Sequence, residues 1–113
     1  MNDWEEAAAA ALSLPQTELS TSYGKPAVKV NGKAFLYTGR EPDSFAVATP
    51  LEEKELLIET GPDTFWESDH YRGWPAVLVR YGSPERDRIE RVIARAWWDK
   101  ASRAQRKDFG ERP

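Results

Sequence analysis

Basic and aromatic side chains occur together in two stretches of this chain, residues 20–40 and residues 70–80. Cationic side chains neutralise phosphates and aromatic rings stack on bases or sugars, so a nucleic-acid binder needs both types. The basic members are Lys25, Lys29, Lys33, Arg40, Arg72 and Arg80, and the aromatic residues that could stack are Tyr23, Tyr71 and Trp74. We expect a DNA-binding surface built from Lys25, Lys29, Lys33, Arg72 and Arg80, with stacking from the three rings.

The same stretches permit two other interpretations. Tyr23, His70 and Trp74 predict the wall of a small-ligand pocket if they enclose a cavity, and the uncovered face of a sheet would suit a protein or small-ligand partner. Alternatively, the lysines only keep a sheet soluble and protect its edge. Convergence of the basic residues on one face would favour nucleic acid, whereas their scatter around an aromatic cavity would favour a ligand.

Charge is unevenly distributed along the chain. The net charge is −3, which argues against a general nucleic-acid binder. Residues 20–40 nevertheless contain four basic residues and no acid, while residues 41–70 contain nine acids and a single lysine. The positive charge is thus concentrated in the same stretches that carry the aromatic rings.

Catalytic and metal chemistry have weak support in this sequence. The chain has no cysteine, and His70 is its single histidine. One imidazole without a second nitrogen or sulfur ligand is a poor metal site. Ser68, Asp69 and His70 are chain neighbours, which does not suit the geometry of a catalytic triad. We therefore expect no catalytic residue, no metal and no cofactor, and a binding protein rather than an enzyme.

The length of 113 residues predicts one domain. We place it at residues 1–101 and expect residues 102–113, which are mostly polar, to form a flexible tail. No apolar run reaches the roughly 20 residues of a membrane span. The absence of cysteine fits a cytoplasmic protein, and we expect a monomer without membrane contact.

The dipeptide Asn31-Gly32 predicts a β-hairpin, because it favours the two positive-φ positions of a type I′ turn. Residues 26–30 and 33–37 would be its strands, with Val28 paired to Phe35. Strict alternation puts one set on the core face: Val28, Val30, Phe35 and Tyr37. The opposite face receives Ala27, Lys29, Ala34 and Leu36.

The remaining pattern gives helix, three strands, helix, two strands, helix. Further strands are predicted at residues 44–49, 64–67 and 76–81. A helix at 51–60 lies between the first two of these strands, and the last helix follows Ser83-Pro84. Hairpins imply an antiparallel sheet, so the fold class is α+β: a single antiparallel sheet with helices packed on one face. The expected core face carries Val28, Phe35, Phe45, Val47, Val77 and Val79.

Two motifs carry a resemblance to a known family. The first reads Ser22-Tyr23-Gly24-Lys25-Pro26-Ala27-Val28-Lys29-Val30, and the second reads His70-Tyr71-Arg72-Gly73-Trp74-Pro75-Ala76-Val77. With Leu14-Pro15 before them and Trp97 after them, they resemble the MmcQ/YjbR family. The resemblance implies a CyaY/frataxin-like fold of double-wing type and DNA binding as the activity predicted for the family. Ala76 stands where the family often has an aromatic residue, so no stacking role is implied there.

Overall fold

Every strand in the structure pairs antiparallel with its neighbours, as the hairpin pattern predicts. The computed structural model describes residues 1–113. Its strands are β1 (Thr17–Ser22), β2 (Lys25–Val30), β3 (Lys33–Thr38), β4 (Ser44–Ala48), β5 (Phe65–Trp66) and β6 (Ala76–Arg80). They form one six-stranded sheet of order β1-β2-β3-β4-β6-β5. The helices are α1 (Trp4–Leu12), α2 (Leu51–Thr60), α3 (Arg86–Lys100) and α4 (Arg103–Phe109). The α+β class with a single antiparallel sheet is confirmed. None of the helices is both long and apolar enough to cross a bilayer.

The first hairpin of the sheet, β1–β2, is absent from the sequence-based assignment. Ser22 pairs with Lys25, which leaves Tyr23 and Gly24 alone in the turn. Both have positive φ, 51° and 76°, which is the type I′ geometry. Glycine adopts this conformation freely, whereas tyrosine rarely does. The expected three-strand run therefore has a fourth strand at its edge, and the hairpin presents Tyr23 at its tip.

The second hairpin, β2–β3, contains a β-bulge that changes the predicted register. Lys29 pairs with Ala34 as expected, but Val28 pairs with Leu36 instead of Phe35. Phe35 is thus the extra residue, and both Phe35 and Leu36 lie in the main core. The predicted core-facing position of Tyr37 is wrong, because the bulge turns its side chain to the other face of the sheet, where it packs against a second buried cluster.

The main hydrophobic core lies between one face of the sheet and helices α1 and α3. All six residues predicted for that face are buried in it. Trp97 of α3 is fully buried there, and its indole N–H donates to the carbonyl of Pro15 at 2.9 Å. The indole therefore anchors the segment after α1 as well as filling the core.

The opposite face of the sheet is partly covered rather than open. A short 3₁₀ turn, Asp69–Tyr71, follows β5, and Tyr71 packs with Ala46, Ala76 and Leu78 in the second buried cluster. The loop from the 3₁₀ turn to β6 therefore lies over part of this face. Beside that loop the sheet keeps a concave surface.

Residues 102–113, where the sequence predicts a flexible tail, contain helix α4. A reciprocal capping box begins the helix: the Ser102 hydroxyl accepts from the Gln105 N–H at 3.2 Å, and the Gln105 side chain accepts from the Ser102 N–H at 2.7 Å. The ring of Phe109 lies 4.8 Å from that of Trp97. The helix thus packs on α3 by an aromatic contact.

Arg112 fixes the end of this segment to two other helices. Its guanidinium donates to both carboxylate oxygens of Glu53 on α2, at 2.6 and 2.9 Å. It also donates to both oxygens of Asp99 on α3, at 2.9 and 3.0 Å. Hydrogen bonds from these carboxylates raise the pKa of Arg112 further above its already high value. The C-terminal segment is therefore joined to the domain by a charged clamp.

Candidate ligand-binding cleft

A concave site opens between the β1–β2 turn, the end of β3 and the loop that follows β5. It has a volume of about 390 Å³ and is lined by Ser22, Tyr23, Lys25, Tyr37, Thr38, Gly39, Arg40, His70, Tyr71 and Trp74. A neighbouring depression of about 420 Å³ shares all of the aromatic lining residues and extends over Ala34 and Ala48 to Lys100. We call the first of these the aromatic cleft. Its volume lies in the range of small-molecule sites.

The rings of the aromatic cleft differ in exposure. Tyr23 is 100% exposed at the hairpin tip and Trp74 is 55% exposed. Tyr71 is 6% exposed and makes an edge contact with His70, with ring centroids 5.1 Å apart at 86°. Tyr37 is half-buried beside them. Tyr23 and Trp74 thus have ring surface available for stacking, whereas Tyr71 is packed into the protein and serves as part of the cleft wall.

Two cations of the cleft are unpaired. Lys25 and Arg40 are both exposed, and neither forms an ion pair or a side-chain hydrogen bond with the protein. Ion pairs are present elsewhere on the surface, for example Arg86 with Glu90 at 2.7 Å. The cleft therefore presents two cations without an ion-pair partner, beside a single carboxylate, Glu41, that lies near Tyr71 and Gly39. An anionic group entering the cleft can pair with either cation.

The two inner phenols of the cleft remain neutral at ordinary pH. Burial raises the pKa of Tyr37 to about 12, Tyr71 adds to this, and the nearby Trp74 side chain acts in the opposite direction. Burial also raises the pKa of Tyr71, with a further contribution from Glu41 and an opposing one from Arg40. Each neutral phenol can donate one hydrogen bond and accept others, so the wall is able to orient a polar ligand.

A close approach of backbone and ring shapes the cleft at Gly39. A Cβ atom there would lie 2.6 Å from the Tyr71 hydroxyl oxygen, well inside van der Waals contact. Glycine therefore lets the Tyr71 side chain lie against the end of β3. This is a steric requirement, since Gly39 has no positive φ.

The other predicted basic residues lie outside the cleft. Arg72 forms an exposed ion pair with Asp69 at 2.7 Å and faces a different depression beside α2. Arg80 lies over the Trp66 ring at 4.5 Å and 3.7 Å from the Asp43 carboxylate. Lys33 follows the Asn31-Gly32 turn at the other end of β2, where it is exposed.

Lys29 also lies outside the cleft, next to the last residue of β2, where it pairs with Glu18 and Ala34. The structure thus brings together five of the predicted site residues, Tyr23, Lys25, His70, Tyr71 and Trp74. It distributes Lys29, Lys33, Arg72 and Arg80 over other surfaces. The three residues named for the alternative ligand pocket all line one cavity.

Sequence reasoning missed five of the ten lining residues, and two of these, Tyr37 and Arg40, contribute a ring and a cation. Strict alternation predicts Tyr37 on the core face, but the bulge at Phe35 turns it to the opposite face. Arg40 belongs to the wider basic set but not to the predicted site. The signal for both was the run Tyr37-Thr38-Gly39-Arg40, where an aromatic residue, a glycine and a cation end a strand.

Comparison with known proteins supports the family resemblance that the two motifs carry. The model of the YjbR family matches residues 12–98, which include both motifs and all the residues that line the aromatic cleft. Uncharacterised proteins of Mycobacterium bovis and of two Mycobacterium tuberculosis strains are 30% identical over 80 residues. That alignment covers 67% of this chain and 62% of each relative, so the chain spans less than two thirds of their length. No solved structure matches significantly. The chain belongs to the YjbR family.

Proposed function

We propose that the protein is a small binding module whose aromatic cleft holds a planar ring carrying an anionic group. One observation carries this proposal: the same cleft combines two exposed rings, Tyr23 and Trp74, with two cations that have no protein partner, Lys25 and Arg40. A nucleotide has this chemistry, either free or as a unit of a single strand. A ring stacked on an aromatic side chain gains roughly 1–3 kcal/mol, and the attached anion would neutralise the cations.

The shape of the site supports a compact ligand over a DNA duplex. A duplex contact requires cations spread over a continuous surface, since each neutralised phosphate adds to the affinity. Four of the five basic residues predicted for DNA lie outside the cleft, and two of these, Arg72 and Arg80, already contact carboxylates. The cleft volume of about 390 Å³ accommodates a single ring with its substituent.

Titration calorimetry with three matched probes tests the proposal. Adenosine 5′-monophosphate supplies ring and charge, adenosine supplies the ring alone, and ribose 5-phosphate supplies the charge alone. We expect the monophosphate to bind more tightly than either partial probe. Lys25→Gln should weaken its binding, while Lys33→Gln, which removes an exposed lysine outside the cleft, should leave it unchanged. Equal effects of the two substitutions, or no binding of any probe, would contradict the proposal.

A second pair of probes distinguishes the source of the ligand. A short single-stranded oligodeoxynucleotide and its duplex are titrated over a series of salt concentrations. If the natural ligand is a unit of a strand, the single strand binds more tightly than the monophosphate and the logarithm of its affinity falls linearly with that of the salt concentration. If the ligand is a free small molecule, the monophosphate binds at least as well. Preferential duplex binding would restore the DNA-surface hypothesis based on Lys29, Lys33 and Arg80.

A further inference from the structure

One buried lysine connects helix α2 to the wall of the aromatic cleft. Lys54 is 2% exposed. Its ammonium group donates to the carbonyl of Tyr71 at 2.7 Å and to the carbonyl of Trp74 at 2.8 Å, and it pairs with the Glu67 carboxylate at 2.7 Å. An ammonium group has three N–H donors, and all three have an acceptor here.

Burying a charged ammonium group costs free energy, so the groups that compensate this cost indicate what Lys54 does. A buried ammonium is strongly destabilising unless it is paired and hydrogen-bonded. Each partner of Lys54 lies on the segment from β5 to β6, and two of them are backbone carbonyls of cleft residues. The lysine is therefore arranged to hold that segment.

The loop has few other links that could fix its backbone. Its backbone hydrogen bonds are mostly local, for example from Tyr71 N–H to the Ser68 carbonyl at 3.0 Å and from Trp74 N–H to the Tyr71 carbonyl at 2.9 Å. One bond reaches the end of β4, where the Thr49 N–H donates to the Pro75 carbonyl at 3.0 Å. The Arg72–Asp69 pair is exposed and joins two residues of the same turn. Lys54 thus provides the polar connection between this part of the backbone and a helix.

We infer that Lys54 is a positioning residue for ligand binding. It does not line the aromatic cleft, but it holds the backbone that places His70, Tyr71 and Trp74 in the cleft wall. Without it, the loop samples conformations in which the wall is incomplete. This inference rests on the proposed function, because it assigns the binding site to that wall. It also predicts, independently of any ligand, that the loop is less ordered when Lys54 is replaced.

The test compares Lys54→Met with Leu57→Ala. Leu57 lies one turn further along α2 and is buried in the main core, so its truncation destabilises the same helix without touching the loop. If the binding-competent fraction of the loop falls to about one tenth, Lys54→Met raises the apparent Kd for adenosine 5′-monophosphate about tenfold. Leu57→Ala should leave that Kd within about twofold of the wild-type value.

Hydrogen exchange provides a readout that general destabilisation does not reproduce. In Lys54→Met, the amides of residues 69–74 should exchange faster while those of β3, β4 and β6 keep their protection. In Leu57→Ala, the exchange of residues 69–74 should not rise more than that of the rest of the domain. Equal Kd values in the two variants, or exchange that rises evenly over the domain, would overturn the inference.

A milder variant keeps the test valid if Lys54→Met does not fold. Glu67→Gln removes the charge of one partner and leaves both carbonyl contacts, so we expect a smaller change of the same kind. If the wild-type protein binds none of the probes, the proposed function is wrong and the role of Lys54 in affinity falls with it. The exchange pattern then still decides whether Lys54 anchors the loop.

Discussion

Replacement of Tyr23 by asparagine should affect binding and stability in different directions. Tyr23 is 100% exposed, so the loss of its ring removes no buried apolar area. The residue has a φ of 51° in a type I′ turn, a conformation that asparagine before glycine favours. The free energy of unfolding of Tyr23→Asn should therefore equal that of the wild type or exceed it, by less than about 1 kcal/mol.

The same substitution should weaken ligand binding. Stacking on one aromatic side chain contributes roughly 1–3 kcal/mol. At about 1.4 kcal/mol for each factor of ten, the Kd for adenosine 5′-monophosphate should rise by roughly 5- to 150-fold. Tyr23→Phe keeps the ring and should bind nearly as well as the wild type, which separates stacking from the phenol hydroxyl.

Urea unfolding followed by tryptophan fluorescence measures the stability, and titration calorimetry measures the Kd. A loss of more than about 1 kcal/mol of stability in Tyr23→Asn would show that the ring packs against the protein, contrary to its exposure in the structure. A Kd unchanged from that of the wild type would refute the assignment of Tyr23 to the binding site.

Two further predictions concern stability. Arg112→Gln removes the charged contacts with Glu53 and Asp99. Because these groups are partly exposed, the free energy of unfolding measured in urea should fall by about 1 kcal/mol. An unchanged free energy of unfolding would mean that the clamp is not formed in solution. Tyr81 follows β6 and packs against the main core, with its ring 5.5 Å from that of Phe45. Burial is the main cause that raises the pKa of both Tyr37 and Tyr81 from 10.0 to about 12, so the folded state binds these protons more tightly than the unfolded state. Stability should be complete below about pH 10 and fall between about pH 10 and 12, with a smaller fall in Tyr37→Phe; stability that rises over this interval would contradict the burial of these phenols.

The parts of the fold that follow local rules were predictable. Asn31-Gly32 specifies a two-residue turn, and its strands appear at the expected place. Pro50 and Gly61 enclose helix α2 at the predicted bounds. The six residues expected on the core face across the sheet are all buried in the main core. In each case the signal lies in a few neighbouring residues.

The missed features do not follow the apolar periodicity on which the assignment depends. Strand β1 is mostly polar because it lies at the edge of the sheet, so its pattern gave no apolar alternation. The bulge at Phe35 arises because consecutive apolar residues both enter the core, which alternation excludes. Helix α4 has a local signal in the sequence, the Ser102–Gln105 capping box. Its aromatic contact with α3 has no such signal.

The residue types of the site were predictable from the sequence, but which of these residues lie together was not. The sequence identified Tyr23, Lys25, His70 and Trp74 as chemically capable residues. Their convergence requires the β1–β2 turn and the loop after β5 to meet at one end of the sheet. Nothing local to Lys54 predicts its burial, because its three acceptors lie 13 or more residues away in the chain.

Amide chemical-shift mapping tests the central claim most directly. Adenosine 5′-monophosphate is added to the labelled wild-type protein, and shifts are followed for every backbone amide. The structure predicts perturbations at residues 22–25, 38–40 and 70–74, which lie on three separate chain segments that meet at the aromatic cleft. Amides near Lys33 and Arg80 should not move. Shifts centred on those residues, or no saturable shifts at all, would contradict a ligand-binding role for the aromatic cleft.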